Sequence, residues 1–119
     1  MYVRITTGTF DPAKEQELEQ LTDEKYIPLA QQLPGFHSYL SGLDRAAGRF
    51  VSLIVWDTLE QAEAFPAAVG DLLPEFVAAS LRPESTQVFA VTRGNPMKIH
   101  AYAAKGADEL LAPYEYEGM

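Results

Sequence analysis

Residues 33–65, LPGFHSYLSGLDRAAGRFVSLIVWDTLEQAEAF, decide the fold. Pro34-Gly35 is a break. Two strand-like runs follow it, residues 36–42 and 49–56, joined by the small-residue turn LDRAAG. In the first run Phe36, Ser38 and Leu40 alternate with His37, Tyr39 and Ser41, so the spacing puts the two sets on opposite faces. The second run, RFVSLIVW, is almost continuously apolar, the pattern of a strand buried on both sides. It ends on the single tryptophan, Trp56, and a helix opens at once. Thr58 with Gln61 fits a capping box, and Asp57 with Glu60 fits one less well.

Upstream, residues 2–10 (YVRITTGTF) are rich in β-branched and aromatic side chains and read as a strand. Asp11-Pro12 is a helix start, because Asp caps and Pro suits the first turn. Leu18, Leu21, Ile27, Leu29, Ala30 and Leu33 supply the apolar side of this first helix. Pro28 removes a donor and crowds the carbonyl of Glu24, so a kink is expected there. Downstream, Ala62, Phe65 and Val69 form the stripe of the second helix, with Pro66 and Gly70 expected to break it. A second helical piece spans 71–81 and a fourth strand spans 86–92. The order β-α-β-β-α-β predicts an α+β, ferredoxin-like split βαβ fold with an antiparallel sheet.

Residues 1–92 therefore make one domain, and 93–119 are surplus to it. RGNP signals a turn, KIHAYAA alternates as a fifth strand would, and ADELLA suits a short helical turn. Ile99, Tyr102, Leu110, Leu111, Tyr114 and Tyr116 are too apolar a set for a disordered tail. This extension is expected to pack on the sheet edge or on a partner subunit.

The formal net charge of -8 argues against nucleic acid as a partner. No apolar run approaches the ~18 residues that span a bilayer, so no membrane partner is expected. No basic and apolar leader opens the chain, and with no cysteine the expected location is cytoplasmic. The lack of cysteine also excludes disulfides and thiolate metal sites. Two histidines, His37 and His100, lie far apart with no helical partner, so no metal is expected. No GxSxG nucleophile context and no glycine-rich phosphate loop occur.

The element order, with PGF before the second strand and VWDTLEQAEAF leading into the second helix, resembles the antibiotic biosynthesis monooxygenase-like family of the dimeric α+β barrel superfamily. The resemblance covers roughly residues 1–92. It implies a homodimer in which two sheets face each other. The two-sided apolarity of residues 49–56 asks for such a second layer independently. Activities in the superfamily include cofactor-free oxygenation of phenolic substrates, haem cleavage and isomerisation, and fold alone does not choose among them. The haem-cleaving relatives use an Asn on strand one and a Trp and a His on helix two. Here strand one offers Thr6, Thr7 and Gly8, while Phe65 and Glu75 stand near the other two places.

The leading reading the resemblance implies is a cofactor-independent monooxygenase, needing no cofactor, that acts on a small aromatic or quinone-like molecule. The alternatives are a non-catalytic ligand-binding or dimerisation module, or an isomerase-type relative. Such an oxygenase needs a group that ionises its substrate and a group that holds the anion. His37 titrates in the right range for a base, and Arg4 suits a phenolate or enolate. His37 and Tyr39 share a face in the alternation, which would let both line one pocket; the competing reading, and the plainer one for a lone strand histidine such as His37, is that they only pack. Tyr26, Tyr39 and Arg49 are further binding candidates, and Trp56 and Phe65 are candidate walls for a planar ligand. The plainer role for those two aromatics is to close the core between strand three and helix two.

Overall fold

A computed structural model of the chain describes residues 1–94. Among these residues four strands form one antiparallel sheet: β1 (Tyr2–Thr9), β2 (Phe36–Asp44), β3 (Arg49–Trp56) and β4 (Arg82–Ala90). Their order is β2-β3-β1-β4. Two helical connections cross one face, so the chain is the split βαβ fold that the pattern predicts. The expected fifth strand and C-terminal extension lie outside the described residues.

The first connection starts where Asp11 accepts the Ala13 N–H at 2.9 Å, with Pro12 in the first turn. It continues as α1 (Glu15–Leu21), a π-helical turn (Thr22–Tyr26) and α2 (Ile27–Gln31). Pro28 does not end the helix. The chain widens by one residue just before it, and the Ile27 N–H donates back to Thr22. Pro28 has no N–H to offer Glu24 and its ring crowds that carbonyl; a π turn opens room for both.

The second connection is α3 (Leu59–Val69), a 3-10 turn (Gly70–Leu72) and α4 (Leu73–Ala78). The capping box is present: Thr58 accepts from the Gln61 N–H at 3.2 Å, and Gln61 accepts from the Thr58 N–H at 3.1 Å. Pro66 lies inside α3 and does not break it, whereas the chain does tighten at Gly70.

Register sorts the sheet into two faces. Tyr2, Trp56 and Phe36 are cross-strand neighbours, as are Arg4, Ile54 and Tyr39, then Thr6, Ser52 and Ser41. This face carries the helices. Val3 and Val55, then Ile5, Leu53 and Leu40, occupy the other. A bulge between Phe36 and Ser38 inserts His37 as the extra residue of β2. The simple alternation is therefore wrong across it. Phe36 and Tyr39 both belong to the helix side, and His37 falls out of step with Tyr39.

The helix side holds two apolar clusters. Ala30, Tyr39, Ile54, Trp56, Ala62 and Phe65 form one, and Phe10, Leu18, Phe76 and Ala79 form the other. Tyr26 packs against both.

Gly8 sits where β1 changes register against β4. A Cβ there would overlap the Arg82 carbonyl and come within 2.8 Å of the Phe50 ring. Backbone on one side and a packed aromatic on the other leave no room to adjust. Gly8→Ala is expected to cost about 1–3 kcal/mol. Urea unfolding at neutral pH should show this as a lower midpoint with an unchanged slope.

Candidate functional site

Because the two clusters grip the sheet at separate places, a cavity of about 590 Å³ is left between sheet and helices. Its size suits a small organic ligand. Apolar walls come from Phe10, Leu18, Phe50, Phe65 and Phe76. Polar groups reach it from the sheet through Arg4, Thr6, Tyr39 and Ser52, and from the π turn through Tyr26.

Tyr26 is the hub of this arrangement. Its ring stands edge-on to Tyr39, Phe65 and Phe76, with centroids 5.8, 5.6 and 5.6 Å away. Burial raises the pKa of its phenol strongly, the neighbouring Tyr39 adds to the rise, and a hydrogen bond with Ser52 only partly offsets it. Burial likewise raises the pKa of Tyr39, against hydrogen bonds with Ser41 and Ser52. Both phenols therefore stay neutral near neutral pH and can donate to an anion. Ser52 is the hydroxyl common to both.

Arg4 is half-buried beside them. Burial lowers the pKa of its guanidinium, while Tyr26 and Glu63 nearby raise it; an arginine remains charged throughout. Its Nη1 donates a long hydrogen bond, 3.4 Å, to the Ala62 carbonyl. Its remaining donors leave capacity for a ligand oxygen.

One side of the cavity is acidic. Glu15, Glu19 and Asp23 follow at i, i+4 and i+8 and all line it. Arg45 grips Glu15 with two hydrogen bonds, 2.6 and 2.8 Å, and holds that carboxyl below its ordinary range. Glu19 is shifted the other way, by burial first and then by the charge of Glu15.

Of the residues singled out from sequence, Arg4, Tyr26, Tyr39 and Phe65 meet at the cavity. His37 does not line it. The bulge carries it away from Tyr39, and its Nδ1 lies 3.4 Å from Ser38 Oγ. Arg49 is also elsewhere. It is one position out of step with Phe50, exposed, and paired with Glu84 at 3.1 Å. Trp56 is fully buried in the first cluster, edge-on to Phe36 and tilted against Phe65. It closes the core and borders a smaller hollow of about 280 Å³ with Leu33 and Pro34. Sequence reasoning missed Ser52, Thr6 and the α1 carboxylates. Ser52 carried a signal, as the one hydroxyl inside the otherwise apolar RFVSLIVW.

Among the described residues, no group of three or more His, Cys, Asp or Glu side chains is arranged to hold a metal ion. None of their helices is long and apolar enough to cross a membrane.

No family model matches the chain, and no curated protein is a significant match. Solved structures do resemble it. A proposed antibiotic biosynthesis monooxygenase from Deinococcus radiodurans is similar over 80% of this chain and 96% of its own, with a TM-score of 0.65 and 17% identity. The ActVA-Orf6 monooxygenase of Streptomyces coelicolor, in complex with nanaomycin D, is similar over 79% and 88%, with a TM-score of 0.60 and 16% identity. SnoaB, a cofactor-independent oxygenase from Streptomyces nogalater, is similar over 80% and 96%, with a TM-score of 0.56 and 20% identity. The chain therefore has the fold of the antibiotic biosynthesis monooxygenase structures, as its sequence pattern implied.

The two buried phenols make stability depend on alkaline pH. A free tyrosine ionises near pH 10. Tyr26 and Tyr39 hold their protons beyond that. Above about pH 10 the folded chain thus binds more protons than the unfolded one, and stability falls as pH rises. Below about pH 10 their effect is constant. Urea midpoints measured between about pH 9 and 11 should fall less steeply in the Tyr26→Phe, Tyr39→Phe double variant than in the parent chain.

Proposed function

We propose that this protein is a cofactor-independent monooxygenase for a small phenolic or quinone-like molecule, working as a homodimer. The observation that carries this reading is the cavity itself, where one half-buried guanidinium and two neutral phenols converge between aromatic walls. That is a site for a flat ligand with one acidic oxygen. Similarity in fold to SnoaB and the ActVA-Orf6 monooxygenase supports the same chemistry.

In this reading Arg4 holds the ionised oxygen of the substrate, and Tyr26 or Tyr39 donates a second hydrogen bond to it. Charge held there keeps the ring electron-rich. For a naphthol, the ring carbon opposite the oxygen gives an electron pair to dioxygen, forming a C–O bond. Protonation of the outer oxygen yields a hydroperoxide. Loss of the C–H proton with cleavage of the O–O bond then releases water and leaves a carbonyl. One oxygen atom enters the product quinone and the other leaves as water, so the substrate supplies all the electrons.

The test is dioxygen uptake with a panel of naphthols and naphthohydroquinones, with quinone formation followed by absorbance. Arg4→Ala should lower the rate by roughly a hundredfold, as for loss of an oxyanion donor. Arg4→Lys should recover part of it. His37→Ala, outside the cavity, should change it less than about threefold, in keeping with a side chain that makes no contact with the substrate. A parent chain inert across the panel removes the oxygenase reading.

The dimer rests on the other face of the sheet. Val3, Ile5, Leu53 and Leu40 share it, with Phe89 beside Val3. Leu40 is 38% exposed and Phe89 46%. Contiguous apolar surface of this kind marks an interface, and a twofold pairing of identical faces closes without leaving a further surface. Light scattering should report a mass near twice 13.2 kDa. Leu53→Glu should shift it toward one chain. A parent chain that stays single at micromolar concentration rules the dimer out.

A further inference from the structure

Pro66 sits in the interior of α3. A proline carries no N–H, so the carbonyl four residues earlier loses its helical donor. That carbonyl belongs to Ala62, a fully buried residue. A buried carbonyl without a donor is costly, and such groups find a partner. Here the partner is Arg4, whose Nη1 donates to the Ala62 oxygen at 3.4 Å. Pro66 itself lines the cavity that Arg4 enters.

We infer that Pro66 is a positioning residue: by withholding a donor from Ala62, it creates the acceptor that holds the Arg4 guanidinium at the cavity. The helix gives up part of its own stability so that a charged side chain on the neighbouring strand has a fixed seat. This rests on the reading of Arg4 as the group that holds an anionic oxygen. It adds to that reading a residue that touches no substrate atom to exert its effect.

Pro66→Ala restores an N–H to the helix. The Ala62 carbonyl then has its own donor, and Arg4 loses its seat. Two effects of opposite sign follow. The thermal midpoint rises or holds, because alanine is a far better helix former than proline. Affinity for an anionic phenol falls, because the guanidinium must now be ordered on binding.

The experiment compares two probes by calorimetry: 4-nitrophenol in mildly alkaline buffer, where it is ionised, and 4-nitroanisole, its methyl ether, which cannot ionise. The parent chain, Pro66→Ala and Arg4→Ala are titrated with each. Arg4→Ala should weaken the phenolate by about tenfold or more, the range of a hydrogen bond to a charged group. Pro66→Ala should weaken it several-fold and leave the ether within about twofold, as a positional effect on one charge does. If Pro66→Ala binds the phenolate as the parent does, the inference is wrong and the role of Arg4 stands. If both probes weaken equally, Pro66 is only a piece of apolar wall and the inference is again wrong. If Arg4→Ala keeps full phenolate affinity, or the parent binds neither probe, the underlying reading fails and takes the inference with it. Should the alanine variant unfold, Pro66→Leu restores the same N–H and is judged on the same pair of affinities.

Discussion

The structure hangs on the contact of one ring with three others. Tyr26 meets Tyr39, Phe65 and Phe76 edge-on, and in doing so joins two apolar clusters that otherwise grip the sheet separately. Edge-to-face contacts of this kind are worth about 0.5–1.5 kcal/mol each beyond the area they bury. The larger consequence is geometric. A single wide ring spans the gap where a continuous core would have filled it, so space remains beside the ring. The residue that ties the helices to the sheet is thus also a wall of the cavity. Its place depends in turn on the π turn that ends with it, and so on Pro28 a little further along the chain.

Much of this was legible in the sequence. The Pro-Gly break, the apolar RFVSLIVW and the Thr58–Gln61 cap gave the strand–turn–strand–helix order that the structure has. Arg4, Tyr26, Tyr39 and Phe65 were recognisable as chemistry or aromatic surface and do meet. What was not legible depends on half-turns of register. His37 lies beside Tyr39 in any count by twos, yet one inserted residue in β2 separates them. No residue type announces that bulge. Propensity concerns a helix alone and marks Pro66 as a breaker, whereas an arginine on β1, far off along the chain but packed beside α3, compensates the lost bond here.

The same limit explains the acidic row. In the sequence alone Glu15, Glu19 and Asp23 have only the spacing of one helix face, and Glu19 and Asp23 are indeed exposed. Only the position of α1 over the sheet shows that the face also borders a cavity. The opposite shifts of Glu15 and Glu19 follow from one arginine serving one of two neighbouring carboxylates. Spacing alone could give the neighbours but not the arginine, which arrives from the turn after β2, thirty residues along the chain from Glu15.

Trp56 remains as a feature with a use of its own. It is the single tryptophan of the chain, fully buried, and its Nε1 finds no acceptor among the described residues. An indole buried among Phe36, Phe65 and Ile54 has an apolar surround, so its emission belongs toward the blue end of the tryptophan range. It also touches Phe65, which faces the ligand space. Excited at the red edge, where tyrosine does not absorb, the chain therefore carries its own optical gauge, with one indole and a single ring between it and whatever enters the cavity.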